Sequence, residues 1–522
     1  MSEFAAGEQV EPTEQPTRPP EQLVGPTEHL IGPAEQLIGP AEQLVGPAEQ
    51  PVPAMERPAQ PTDLPVQASE LPAQPSKLLA QVSKLLRQPS ELQRLLTTFG
   101  YLVAKQGSTA VLGLVYWAVA THLFSARDVG LAAAASSTAL FLAAIGALGI
   151  PLLLLAELES VPAPARRVTF STGMYISCLT VLILSLGTLA LSPFLGASLG
   201  IIGADPTMAA LFVIGSVATM AALTFDNAAI GLHRGSAQLW QGSLASALKL
   251  AVVGVLVLAG TRTAPGLLFA WVVTLVVSVV VCMPMLRLEP TPAGEGNISH
   301  RVALARRYGA LSLKHHVLNL SINSVYYLVG LIAALLLLPG QLAYFSTALL
   351  LSSTAMIIPY LLALSLFAEI SGDQSLLHRH VRRTLPLGLA LSGGILVVVM
   401  VAAPLVMRIF GPAYVVNGTT ALRLLLLVGP AYVIKDHYVA IRRAQGRLGH
   451  AAKVMAAGTS VEGAGAALGG LTGGMTGLCI GWAVAVSCEA VILLPAVIRV
   501  FREDPAVEPD PGGPSGSDPR SA

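Results

Sequence analysis

The chain has 522 residues, of which 53% are hydrophobic and 12% charged; soluble domains carry about 25% charged residues. Apolar runs long enough to cross a bilayer recur from about residue 100 to about residue 500, and they are continuous rather than alternating. That pattern predicts an all-α polytopic membrane protein and argues against a β-barrel; a net charge of +1 says little in itself, and no nucleic-acid partner is expected.

Residues 1–75 are rich in Pro, Glu, Gln and Ala and repeat every seven residues: EQLVGPT from Glu21, EHLIGPA from Glu28, EQLIGPA from Glu35 and EQLVGPA from Glu42. Gly-Pro in every unit forbids a continuous helix, so the period is not a coiled coil and a disordered tail is expected. The period continues through Ser69, Ser76, Ser83 and Ser90. Residues 76–98 read as a basic amphipathic juxtamembrane helix, with Lys77, Lys84 and Arg87 on its polar side. The tail is either a spacer or a docking segment for a partner. No basic segment followed by an apolar core precedes it, so no cleaved signal peptide is expected and the first span directs insertion.

About twelve spans follow, at 100–123, 129–155, 168–191, 207–232, 238–259, 264–286, 310–336, 342–368, 384–408, 417–441, 449–471 and 475–499. Loop charge tests the count. Arg166 and Arg167 follow the second span, Arg234 the fourth, Arg287, Arg301, Arg306 and Arg307 the sixth. Arg379, Arg382 and Arg383 follow the eighth, Arg442, Arg443, Arg447 and Lys453 the tenth, and Arg499 and Arg502 the twelfth. Every even-numbered boundary is basic, which places both termini in the cytoplasm of a cell whose plasma membrane holds the chain. The long loop at 287–309 then divides two six-helix lobes, 99–286 and 310–502, of the same orientation, and a Pro/Gly/Asp tail occupies 503–522. An internal echo fits this parallel arrangement: residues 128–157, interrupted by Pro151, resemble 341–369, interrupted by Pro359. Cys178, Cys282, Cys479 and Cys488 fall in apolar segments with no zinc-site spacing and read as reduced thiols.

With this topology, four segments carry a family resemblance. Gly149-Ile150-Pro151 closes the second span, and IIPYLLALSLFAEISGD (Ile357–Asp373) leads from the eighth into a basic loop. RIFGPAYVVNGTTALRLLLL (Arg408–Leu427) enters the tenth, and AQGR (Ala444–Arg447) follows it. In this order they resemble the polysaccharide flippases of the multidrug/oligosaccharidyl-lipid/polysaccharide exporter superfamily. The chain departs from that pattern at Phe367-Ala368-Glu369, where many relatives have a proline, and in its repeat-bearing N-terminus. The resemblance implies a V-shaped bundle with a central cavity and alternating access. It also implies carriage of a lipid-linked saccharide to the outer leaflet for cell-surface polysaccharide synthesis, with a polymerase or glycosyltransferases as partners.

The residues themselves reach a similar place. A lipid-pyrophosphate headgroup needs cations in a wet cavity, and charge inside hydrocarbon is retained only where it is used or paired. The candidate cations are Lys105, Lys249, Lys314, Arg423 and Lys435. Lys105 and Lys314 lie near the cytoplasmic ends of their spans and can instead snorkel, Arg423 can snorkel outward, and Asp436 can neutralise Lys435. Lys249 falls near mid-membrane, where snorkelling is hardest. Asp226, Glu462 and Glu489 are candidates for coupling to a proton or sodium gradient; the alternatives are a structural Asp226–Lys249 pair and a neutral Glu bonded within the last two spans. Asn319, Asn323 and Tyr326 share a helix face and can meet sugar hydroxyls, or bond neighbouring helices. The Gly-rich run Ala467–Gly481 suggests close helix packing around an outer turn. It lacks the Lys-Ser/Thr ending of a nucleotide-binding loop, so no cofactor is expected. Neither a nucleophile–base set nor a metal site is legible, which argues against an enzyme. Two other functions stay open: a cation-coupled multidrug exporter, which the lack of an acid in the first span counts against, and a membrane scaffold of an envelope-assembly complex acting through the N-terminal tail.

Overall fold

The computed structural model describes residues 89–290, 316, 320, 325–370 and 377–502. The heptad tail, residues 76–88, most of the inter-lobe loop, the C-terminal tail, Lys314, Asn319 and Asn323 lie outside them.

The described chain is all-α. Helices α1 (Pro89–Leu123), α2 (Ala126–Gly146), α3 (Ile150–Glu157) and α4 (Ala163–Leu191) come first. They are followed by α5 (Gly196–Ala204), α6 (Pro206–Gly231), α7 (Gly235–Leu258) and α8 (Ala264–Cys282). After the inter-lobe loop come α9 (Val325–Leu336), α10 (Pro339–Ile370), α11 (Leu377–Arg408), α12 (Pro412–Leu426), α13 (Gly429–Ala444) and α14 (Leu448–Arg502). Eight helices among the described residues are long and apolar enough to cross a membrane. They cover nine of the twelve predicted spans, because α14 holds two; the first, seventh and eighth fall in α1, α9 and α10.

Local chemistry sets the breaks. Asp205 caps α6 by accepting from the backbone N–H of Thr207 at 2.8 Å and of Met208 at 3.0 Å, with Pro206 following where its missing N–H costs nothing. Ser125 caps α2, and Asp128 in the first turn accepts from the N–H of Ala264 at 3.0 Å, tying the starts of α2 and α8 together. Leu148 and Gly149 take positive φ, so the second span breaks before Ile150-Pro151. Its counterpart α10 has Ile357-Ile358 before Pro359 and no glycine there, and runs on as one helix. The tenth span runs through α12 and α13 as one apolar stretch with a turn at Leu427-Val428, and Pro430 falls in the first turn of α13, where its missing N–H costs nothing.

α14 is a hairpin. Gly473 and Gly474 leave helical geometry, and glycines on both arms let them close on each other. A side chain at Gly465 would strike the carbonyl of Gly481, and one at Gly469 or Gly477 would strike the other's carbonyl. Small-residue contacts of this kind let helices in lipid approach to backbone distance.

α5 was not expected. It packs on α9, where Ser198 donates to the Leu337 carbonyl at 3.2 Å and a side chain at Gly196 would strike that of Leu335. The echoing segments α2 and α10 lie against each other. One buried apolar cluster runs through both halves and encloses Phe212, Phe345 and Trp482. Outward faces stay apolar: Val397, Val401 and Leu405 form an exposed stripe on α11, suited to lipid rather than water.

The basic boundaries also converge. Arg382, at the start of α11, donates to the carbonyls of Phe501 at 2.7 Å and Arg502 at 3.3 Å, capping the last turn of α14. Arg442, Arg447 and Arg499 line one recess nearby. Three even-numbered boundaries therefore meet at one end of the bundle. The four cysteines are free thiols.

Candidate functional site

Two cavities lie among helices of both halves. The first, of about 520 Å³, is walled by α1, α2, α3, α6, α7 and α8, with His316, Leu320 and Tyr327 closing it from the second half. Lys105, Asp226, Gln241 and Lys249 line it. The second, of about 460 Å³, lies between α1 on one side and α10 and α13 on the other, and Thr109 borders both. Lys105, Thr109 and Tyr116 stand at i, i+4 and i+11 on α1, three turns that return to one face.

The charges sort differently from the sequence reading. The Asp226–Lys249 pair expected as an alternative is not formed: Asp226 is ion-paired with Lys105, 121 positions away. Its other carboxylate oxygen is buried without a partner. Lys105 is therefore largely neutralised as a headgroup cation, although it still faces the cavity. Lys249 is left with no carboxylate among the described residues; its Nζ stands 5.0 Å from the centre of the Tyr116 ring, a cation–π contact. The first cavity thus holds a balanced pair and one uncompensated base.

Lys435 and the two glutamates, assigned to separate roles from sequence, are one cluster. Nζ of Lys435 is bonded to Glu462 and, at 2.7 Å, to Oε2 of Glu489. The three side chains are 6%, 0% and 8% exposed, so Lys435 is not free to grip a headgroup. Trp482 Nε1 donates to Oε2 of Glu462 at 2.8 Å, and the Tyr432 hydroxyl reaches the same oxygen at 3.2 Å. A Cβ at Gly458 would fall on the Glu489 carboxylate, so the missing side chain is what makes room for the charge. Tyr326, proposed as a sugar contact, stacks on Tyr432 with centroids 5.6 Å apart and meets Trp482 edge-on at 5.6 Å. It also lines the second cavity.

Arg423 is turned aside. Its Nε donates to the Met400 carbonyl of α11 at 3.0 Å, and it lines neither cavity. Asp436, read only as a neutraliser of Lys435, instead lines the second cavity. Gly429, Tyr432, Val433 and Asp436 fall on one face of α13 at i, i+3, i+4 and i+7, whereas Lys435, one residue earlier, points to α14. That spacing was visible in the sequence; the glutamates that claim Lys435 were not assignable to it. Among the described residues, no cluster of three or more His, Cys, Asp or Glu residues forms a metal site.

No family model matches the chain, and no curated protein matches it by sequence. Solved structures match by shape. Lipid II flippase MurJ in an inward closed conformation aligns with TM-score 0.59 and 13% identity, over 77% of this chain and 89% of that one. An inward-facing multidrug resistance MATE family transporter of the MOP superfamily aligns with TM-score 0.56 and 14% identity, over 77% and 94%. The eukaryotic MATE transporter AtDTX14 aligns with TM-score 0.50 and 18% identity, over 78% and 96%. At these identities the likeness is one of fold: the chain has the multi-helix bundle of these transporters.

Proposed function

We propose that the chain is a flippase carrying a lipid-linked saccharide, a polyprenyl-pyrophosphate oligosaccharide, from the inner to the outer leaflet by alternating access, for synthesis of a cell-surface polysaccharide. The observation that carries this reading is Lys249: a base without a carboxylate, lining a cavity of about 520 Å³ within the membrane span. A cation at that depth is costly, and an anionic phosphate entering the cavity offsets the cost. The chain shares its multi-helix fold with MurJ and the MATE transporters, and its own cavity lies among helices of both halves. Both termini face the cytoplasm on the loop-charge argument.

The test is translocation in reconstituted vesicles. Lys249→Ala abolishes flipping of a fluorescent polyprenyl-pyrophosphate saccharide while the protein still inserts and elutes as a single species, and Lys249→Arg retains part of it. Flipping at the wild-type rate in Lys249→Ala overturns the reading.

A second reading, export of cationic drugs, is favoured by Asp436 in its tyrosine-lined cavity. It predicts gain of drug resistance on overexpression, lost in Asp436→Asn and indifferent to Lys249.

A further inference from the structure

Among the described residues, no Lys, Arg or His lines the cavity that holds Asp436. Its polar lining includes Gln106, Thr109, Ser353 and Thr354, and three tyrosines, Tyr326, Tyr360 and Tyr432, face it. Among the described residues nothing donates a hydrogen bond to the Asp436 carboxylate or forms an ion pair with it. The neighbouring Lys435 is shared by Glu462 and Glu489, so it is not free to answer Asp436. Across the shared border at Thr109, Lys105 and Lys249 face the single acid Asp226. The two adjoining cavities thus hold, among the described residues, a base without an acid partner at Lys249 and an acid without a base partner at Asp436.

We infer, on the flippase reading above, that the saccharide carried here bears a free, protonated amine, which Asp436 and the surrounding tyrosines bind while Lys249 holds the phosphate. A neutral oligosaccharide filling both cavities would leave the Asp436 carboxylate withdrawn from water and unpaired, which is penalised at membrane depth. An ammonium group answers it with a charge-assisted hydrogen bond, and tyrosine faces attract the same cation. Hydroxyl and amide side chains beside it meet the remaining sugar hydroxyls.

The experiment is calorimetric titration of the purified full chain at pH 7 with three probes: geranyl diphosphate linked to glucosamine, the same compound with N-acetylglucosamine, and octyl glucosaminide. The free-amine diphosphate is expected to bind at least about tenfold more tightly than its acetylated twin, the gain of a hydrogen bond to a charged group. Asp436→Asn brings that ratio to about one, and Asp436→Glu preserves it. Equal affinity of the two diphosphates for the wild-type chain overturns the inference and leaves the flippase reading standing, as does a ratio unchanged by Asp436→Asn. Binding of octyl glucosaminide with neither diphosphate bound does the opposite: the anionic pole stands and the phosphate carrier falls. Binding of none of the three overturns both.

Discussion

Nζ of Lys435 lies 2.7 Å from Oε2 of Glu489, with both side chains withdrawn from solvent and 54 positions between them in the chain. The two belong to adjoining helices, α13 and the second arm of α14, and Glu462 in the first arm completes the bridge. Charges this deep cost several kcal/mol each to desolvate, and removing one partner strands the rest. Lys435→Met is therefore expected to lower stability by about 3–5 kcal/mol. The triple change Lys435→Met with Glu462→Gln and Glu489→Gln is expected to recover much of that loss. Thermal unfolding in detergent reads both, and a single mutant as stable as wild type would show that the cluster is not closed in the membrane.

The pairing of Lys105 with Asp226 gives a second expectation. Each single change, Lys105→Met or Asp226→Asn, leaves the other group unmatched, and the double change is milder than their sum. Because the partners share one contact, a double-mutant cycle on unfolding is expected to show a coupling of about 1–3 kcal/mol. Independent effects would place Asp226 with some other base.

Arg423 separates a snorkelling or structural cation from a binding one. Its bond runs to the Met400 carbonyl, and it faces neither cavity. Arg423→Ala is expected to cost about 1 kcal/mol of stability and to leave the apparent affinity for a lipid-pyrophosphate saccharide within about twofold of wild type. A binding defect as severe as that of Lys249→Ala would show that Arg423 reaches the substrate in another state.

Glycine contacts in α14 predict a position-specific pattern. Gly469→Ala and Gly477→Ala press a methyl group onto backbone that cannot yield, and each is expected to cost about 1–3 kcal/mol or more. Gly473→Ala meets open space at a negative φ and is expected to stay within about 0.5 kcal/mol of wild type. Temperature ramps on tagged protein in membranes rank the three.

Much of the framework was legible beforehand because apolar run length and loop charge are direct readouts of the bilayer. The expected limits 449–471 and 475–499 bracket the turn at Gly473-Gly474, and 207–232 meets Pro206–Gly231 within a residue because Asp205-Pro206 is a start signal in itself. Helix faces were not legible. A span apolar on all sides has no polar stripe to say which way it turns, so nothing in the sequence tells Asp226 to choose Lys105 over Lys249. The short helix α5 escaped because nine apolar residues between two spans look like a loop to a window sized for a bilayer. Asp436 escaped because adjacency to Lys435 suggested a pair, whereas neighbours on a helix stand about 100° apart and face different partners.

The glycine seam of α14 limits how the molecule rearranges. With carbonyls where side chains would stand at Gly465, Gly469, Gly477 and Gly481, the two arms have no rotamers to reset and no clearance to slide. They travel as one rigid paddle. Glu462 and Glu489 stand one on each arm and hold Lys435 of α13 between them, so a movement of α13 away from the hairpin pulls Lys435 from both acids at once. On the alternating-access proposal, parting that single ammonium group from its two carboxylates is a cost that any step moving α13 against the hairpin has to meet.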